Sequence, residues 1–326
     1  MLKALARTGI ITQMSVILAL LVLFFVTPQA GFISDGQKLH LAPFGEWIFN
    51  QLNLFPVLAW PVSVLLLLLN AFSFNAILIK HDITPRQSLL PSAVYIFLML
   101  FTSGGNYLAP VLISSLLLLF SLHSIMDMYG KLYPYTRILN ATLAIAIASM
   151  IFFPLILFTV MLWISFFTFR INAWRDWVIS VLGIVMPFFY LALLYLWNNN
   201  LVYGLKAYEQ LWYELNFSLP RLNVQEFSAI ALIGFWAIVS ASRFLSDTAD
   251  RLISIRKKMW IISHFALIAL ASVLLSGSSM LVMLPLIFVP VSAMMSHAFA
   301  NQRRGWLHDL IFVLTFAAIM LNRIYF

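Results

Sequence analysis

The chain has 326 residues, of which 63% are hydrophobic and only 9% are charged, and its mean hydropathy is +0.98. Soluble domains usually carry about 25% charged residues, so this composition excludes a soluble globular protein and indicates an integral membrane protein. The net charge of +8 does not indicate nucleic acid binding, because the basic residues lie in short clusters between apolar runs. The absence of cysteine excludes a disulfide framework, an iron–sulfur cluster and a thiol nucleophile.

The apolar segments predict an all-α fold, a polytopic transmembrane helical bundle that forms a single integral membrane domain over residues 1–326. The first segment follows Lys3 and Arg7 as in a signal peptide, but no convincing cleavage pattern follows it, which indicates an uncleaved helix. About eleven spans are predicted. They lie near 10–28, 55–79, 88–103, 108–125, 138–153, 154–171, 178–197, 228–245, 260–275, 279–299 and 308–323.

The basic residues alternate between connections and predict the orientation. With the N-terminus in the cytoplasm, the external connections are almost free of Lys and Arg, as the positive-inside rule requires. The N-terminus is therefore expected in the cytoplasm and the C-terminus on the opposite side of the membrane. The connections predicted to be cytoplasmic hold Lys80, His81, Arg86, Lys131, Arg137, Arg170, Arg175, Arg251, Arg256, Lys257, Lys258, Arg303 and Arg304.

Two external segments have the pattern of interfacial amphipathic helices. In the first, about 29–54, apolar residues recur at helical spacing after Pro43, and polar residues lie toward the other face. The second segment, about 198–227, has the same pattern, so both helices are predicted to lie flat on the outer leaflet above the bundle. The apolar residues are Phe44, Trp47, Ile48 and Phe55 in the first and Leu205, Tyr208, Trp212 and Leu215 in the second; the polar ones are Glu46, Asn50, Asn53, Lys206, Glu209 and Gln210.

The sequence contains few signs of a specific chemistry. It has no Walker, GxGxxG or HExxH motif, and its histidines are dispersed without ligand spacing, so neither a metal site nor a cofactor is expected. A divalent cation held on a phosphate stays open as an alternative. Membrane-embedded charges are few, which places a lipid or solute transporter third among the candidate functions.

Among the external carboxylates, Asp35 is the strongest candidate for a catalytic residue, and Glu46 is the next. Solvated loop carboxylates are the ordinary interpretation of such residues. Asp35, however, directly follows the first span and precedes an interfacial helix, which would hold a general base at headgroup depth.

Two stretches carry a resemblance to known proteins. They run from Leu68 to Phe101 and from Tyr135 to Tyr190, and combine an Asn-containing span, a Phe-Pro hairpin and an Arg-Asp-Trp loop. This order resembles a family of uncharacterised polytopic inner-membrane proteins of the Bacteroidota. In architecture that family is similar to the C-type glycosyltransferases and polysaccharide polymerases, in which an external loop with an interfacial helix and an acidic residue follows the first span. The paired acidic motif of those enzymes is absent, because Gly36 and Gln37 follow Asp35.

The resemblance implies a glycosyltransferase-like protein that transfers a sugar from a polyprenyl-phosphate carrier at the outer face of the inner membrane. Such an enzyme needs a cavity under the two interfacial helices, lined by Asp35 and by substrate-binding residues among Lys38, His40, Lys206 and Arg221. The alternative is a non-catalytic subunit or assembly factor of an envelope-building or secretion complex, which would dock other envelope proteins through an apolar face. The expected partners are thus membrane lipids, the carrier and other envelope proteins.

Overall fold

A computed structural model describes residues 10–26, 41–54, 56–85, 88–102, 108–213, 215, 224–276, 282–300 and 305–324. Every regular element longer than a single bridge among these residues is helical, as the sequence predicts. The α-helices are α1 (Ile10–Val26), α2 (Pro43–Asn53), α3 (Pro56–Lys80), α4 (Leu90–Met99), α5 (Leu108–Met126), α6 (Tyr135–Ile151), α7 (Phe158–Phe169), α8 (Trp174–Trp197), α9 (Leu201–Tyr213), α10 (Val224–Ser246), α11 (Ile253–Leu274), α12 (Leu284–Ala300) and α13 (Gly305–Ile324).

Each segment predicted to span the membrane coincides with a helix of the structure. Within the described parts of the chain, five helices are long and apolar enough to cross a bilayer: α3, α5, α8, α10 and α11. The predicted hairpin near Pro154 is more elaborate than expected, because a 3-10 helix over Phe153–Leu157 precedes α7. Pro154 suits that first turn, since its ring fixes φ and it needs no hydrogen-bond acceptor there. The number of spans remains a prediction.

The centre of the bundle is formed by short, fully enclosed helices. Every residue of α4 is buried, and α12 is buried along almost its whole length. α4 packs against α1, α3 and α12, while α12 also contacts α10 and α11. A helix of 10 residues is only about 15 Å long, so α4 alone is too short to cross the roughly 30 Å of a hydrocarbon core.

α8 lies at the edge of the bundle and is fixed mainly through one close approach. Only 11% of its apolar stretch is buried, and it packs chiefly on α6. At Gly183 the two helices meet so closely that a Cβ atom would fall on the Thr142 hydroxyl and 2.9 Å from the Thr142 Cβ. Glycine is therefore required here for steric reasons.

Where the residues after a helix are described, three helices end on a non-glycine residue in the left-handed conformation: Asp82 after α3, Arg170 after α7 and Asn199 after α8. After α3, the Ile83 N–H donates to the Leu78 carbonyl at 3.0 Å and the Asp82 N–H donates to the Ile79 carbonyl at 3.1 Å. These are the two hydrogen bonds of a Schellman motif, and buried Ile83 and Leu78 supply its usual apolar pair. The motif fixes the backbone of His81, which lies between the helix and the left-handed residue.

Candidate functional site

The helix predicted after Pro43 is present and is anchored on the end of α6. The Ala42 N–H donates to the Ile151 carbonyl at 3.0 Å, and a Cβ atom at Gly45 would lie 2.5 Å from the same carbonyl oxygen. The buried face of α2 therefore includes Gly45, whereas Trp47, predicted on the apolar stripe, is 57% exposed. The orientation of α2 relative to a membrane remains a prediction.

A cavity of about 330 Å³ lies at the same end of the bundle, between α8, the 3-10 helix and α9. We call it the aromatic cavity. Among the described residues its walls contain no charged side chain, and tyrosines supply the side-chain polar atoms. It is lined by Phe153, Ile156, Phe188, Leu191, Ala192, Tyr195, Leu201, Gly204, Leu205 and Tyr208.

Tyr208 holds α9 against the bundle and leaves one polar atom unsatisfied. Its ring makes edge contacts with Phe153 and Phe188, at centroid distances of 6.3 and 5.9 Å. Its hydroxyl is buried and has no hydrogen-bond partner among the described residues. Burial, together with the neighbouring Tyr195, raises the pKa of Tyr208, so the group stays an O–H donor at neutral pH. A bound ligand would satisfy it.

Two of the predicted site residues, Glu46 and Lys206, lie at this end of the molecule. Both side chains are exposed, and neither lines the aromatic cavity. Glu46 lies within electrostatic range of Tyr195, a cavity residue. The other predicted site residues, Asp35, Lys38, His40 and Arg221, lie outside the described residues.

A second polar site lies at the opposite end of α6. Lys80, His81, His123, Asp127 and Arg137 converge there, and we call them the His–Asp cluster. Lys80 Nζ donates to Asp127 Oδ2 at 3.0 Å and to His123 Nε2 at 3.1 Å. Each histidine Nε2 lies 3.6 Å from a different oxygen of the Asp127 carboxylate. Arg137 Nη2 lies 3.5 Å from Asp127 Oδ2.

At neutral pH burial keeps the His81 imidazole uncharged, while the surrounding cations keep the Asp127 carboxylate ionised. Burial, and then the charge of Lys258, lowers the pKa of His81 to about 4. Burial alone would raise the pKa of Asp127, but the Lys80 hydrogen bond and the nearby cations hold it below its usual value. His81 is 4% exposed, and its Nε2 has no hydrogen-bond partner among the described residues. The 3.6 Å contact with Asp127 is too long for a hydrogen bond.

Helix ends bring the His–Asp cluster together, and sequence analysis missed it. His81 follows α3, while His123 in the last turn of α5 and Asp127 just after it are four residues apart and share one face. The dispersed positions of the histidines concealed the site. The signal that could have found it was topological, because His81 and Asp127 belong to connections predicted to share one side of the membrane.

The two sites are separated by the length of α6, about 25 Å for its 17 residues. Comparisons with known proteins identify neither site: no family model, no curated protein and no solved structure matches the chain. The function must therefore be inferred from the chemistry of the two sites.

Proposed function

We propose that the protein is a multi-pass inner-membrane protein that binds a polyprenyl-phosphate-linked sugar at the outer face and transfers the sugar to an acceptor. The observation that carries this proposal is the aromatic cavity with its unsatisfied Tyr208 hydroxyl. An apolar cavity of about 330 Å³ is at the lower end of the range for ligand sites, which suits a segment of an isoprenoid chain. The hydroxyl would donate to a phosphate oxygen of the carrier.

The distribution of cations supports the proposed orientation, with the N-terminus cytoplasmic and the aromatic cavity periplasmic. Lys80 and Arg137 lie in the His–Asp cluster, and Lys257 and Lys258 lie over the Tyr129 ring, near the same end of α6. At the cavity end, α2, the 3-10 helix and α9 together contain a single lysine or arginine within their described residues, Lys206. An excess of cations on one side marks the cytoplasmic face of a membrane protein. α2 and α9 would then cover the bundle on the outer leaflet.

In this proposal Asp35 supplies the general base and Glu46 is the second candidate. Glu46 is exposed on α2, which is anchored directly beside the 3-10 helix that walls the aromatic cavity. The exposed Lys206 on α9 would meet the carrier phosphate from the other side, with Lys38, His40 and Arg221 as further phosphate-binding residues.

The proposal is tested by the lipids that copurify with the protein. Ala192→Trp would fill the aromatic cavity, whereas Leu194→Trp places the same side chain on the exposed face of the same helix. Mass spectrometry of lipid extracts should find polyprenyl phosphate with the wild type and with Leu194→Trp, and little with Ala192→Trp. Equal carrier in all three proteins, or none in any, would contradict the proposal.

A non-catalytic membrane subunit is the second candidate function, and the exposure of α8 favours it. Its apolar stretch is 11% buried, against 72% for that of α5, so most of its surface is open to lipid or to another membrane protein. Absence of the carrier together with a stoichiometric envelope protein that binds α8 would support this candidate over the enzyme.

A further inference from the structure

The His–Asp cluster has the composition of a transition-metal site. The candidate ligand atoms of His81, His123 and Asp127 all lie within 4.8 Å of one another. Ligands at zinc–nitrogen and zinc–oxygen distances lie about 3.4 Å apart in a tetrahedral site, so side-chain movements of about 1 Å would close the three around an ion. Neutral imidazole and carboxylate are ligands that zinc prefers.

The Lys80 ammonium already lies where such an ion would bind. Its Nζ is 3.0 Å from Asp127 Oδ2 and 3.1 Å from His123 Nε2, so both acceptors direct lone pairs at one position held by a cation. Because Nε2 of His123 accepts this hydrogen bond, its proton lies on Nδ1 and the lone pair on Nε2 is available. His81 Nε2, buried and without a hydrogen-bond partner among the described residues, faces the same carboxylate from another side.

We propose that His81, His123 and Asp127 bind a divalent transition-metal ion, with zinc as the reference ion, and that the Lys80 ammonium competes with it for the same position. Three protein ligands leave a fourth position open to water, as in zinc sites that are not purely structural. The proposed metal site lies at the end of the bundle opposite the aromatic cavity, so its test is independent of the proposed function.

The surrounding cations do not block the site, because each of them can interact with water or with the Tyr129 ring instead of with the cluster. The side chains of Lys80 and Arg137 are 50% and 35% exposed, so both can withdraw into water when an ion binds. Lys258 Nζ lies 6.0 Å from the centroid of the Tyr129 ring and Lys257 Nζ lies 5.4 Å from it, which gives both cations a partner outside the cluster. Repulsion between these cations and the bound metal ion weakens its binding, so the ion should exchange with ions in solution.

Because Lys80 competes with the ion, a substitution of Lys80 and a substitution of a ligand should change the zinc affinity in opposite directions. Removing a ligand by His81→Gln or Asp127→Asn should weaken zinc binding by at least the roughly 10–100-fold that loss of an outer-shell partner costs. Lys80→Met removes the competing ammonium and should strengthen zinc binding. His264→Gln is the matched control, since His264 makes a local contact with the Trp260 carbonyl on α11 and is not part of the cluster.

The experiment uses the full chain in detergent, purified with a tag that contains no histidine. Zinc, and not magnesium, should raise the unfolding temperature of the wild type and of His264→Gln, and cobalt should give the visible absorption bands of a nitrogen-ligated ion. The zinc effect and the cobalt bands should both be lost in Asp127→Asn, and the zinc effect should appear at a lower zinc concentration in Lys80→Met.

The proposal is overturned if zinc leaves the unfolding temperature of the wild type unchanged. It is equally overturned if zinc affects the wild type and Asp127→Asn alike, or if Lys80→Met binds zinc more weakly than the wild type. In each of these cases the cluster is an ion-pair network that joins the ends of α3, α5 and α6.

Discussion

At the scale of single residues, removal of the unsatisfied Tyr208 hydroxyl should have opposite effects on the stability of the free protein and on ligand binding. A buried hydroxyl without a partner costs about 1–3 kcal/mol, so Tyr208→Phe should raise the unfolding temperature of the lipid-free protein. The same variant loses the donor proposed for the carrier phosphate and should retain less carrier. Tyr203→Phe, on the exposed side of α9, should change neither quantity. Tyr208→Phe that retains carrier as well as the wild type would contradict this role.

Asp35 is the residue on which catalysis depends in the proposed function. Asp35→Asn keeps the shape of the side chain and removes its charge, so expression and membrane insertion should be normal. Complementation of a deletion strain should be lost, because an amide cannot accept the acceptor's proton. Full complementation by Asp35→Asn would shift the assignment to the non-catalytic subunit.

At the scale of elements, the left-handed residues that end three helices predict stabilising substitutions. A left-handed L-residue is strained by about 1–2 kcal/mol, and glycine relieves this strain but loses about half of the gain to its greater freedom in the unfolded chain. Arg170→Gly, at an exposed position with φ 61°, should therefore stabilise the protein by about 0.5–1 kcal/mol. Arg175→Gly, the same change inside the first turn of α8, should destabilise it. Thermal unfolding measures both, and equal signs would contradict the assigned backbone strain.

The approach of α8 to α6 predicts a strong effect of one methyl group. Gly183→Ala forces the added Cβ into Thr142 and should cost about 1–3 kcal/mol, as overpacking does. Gly234→Ala adds the same group on α10, where no described residue beyond the adjoining turns of its own helix backbone lies within 4 Å of the added Cβ, and should be neutral or slightly stabilising. If Gly183→Ala is as stable as Gly234→Ala, the close packing of α8 on α6 at Gly183 is contradicted.

The sequence predicted the helices better than it predicted their environments. Apolar length and breakers located α3, α5, α8 and α10 to within a few residues, because hydrophobic segment length is a strong signal. The same signal does not distinguish the fully buried α4 from the largely exposed α8, since both are apolar along most of their length. Which face packs inside depends on tertiary contacts.

At the scale of the whole molecule, the glycosyltransferase interpretation required a cavity under two interfacial helices, and the external position of such a cavity remains a prediction. Charged residues were expected to line it, whereas the described lining is aromatic and aliphatic, with Glu46 and Lys206 exposed nearby. The His–Asp cluster was missed because His81 and His123 are 42 residues apart and meet only where two helices end on the same side.

The orientation has a direct test in reporter fusions. A reporter after Lys258, near the end of the bundle that holds the His–Asp cluster, should read as cytoplasmic, and one after Gly105 should read as external. The opposite result at either point would move the aromatic cavity to the cytoplasmic face and exclude transfer at the outer leaflet.

The central claim is that the aromatic cavity holds the chain of a polyprenyl-phosphate carrier. Its most direct test is an electron cryomicroscopy structure of the full chain in nanodiscs that contain the carrier. We expect continuous lipid density between Phe188 and Tyr208, with a phosphate within hydrogen-bond distance of the Tyr208 hydroxyl. An aromatic cavity that excludes lipid, with α9 closed onto α8 in the presence of the carrier, would contradict it.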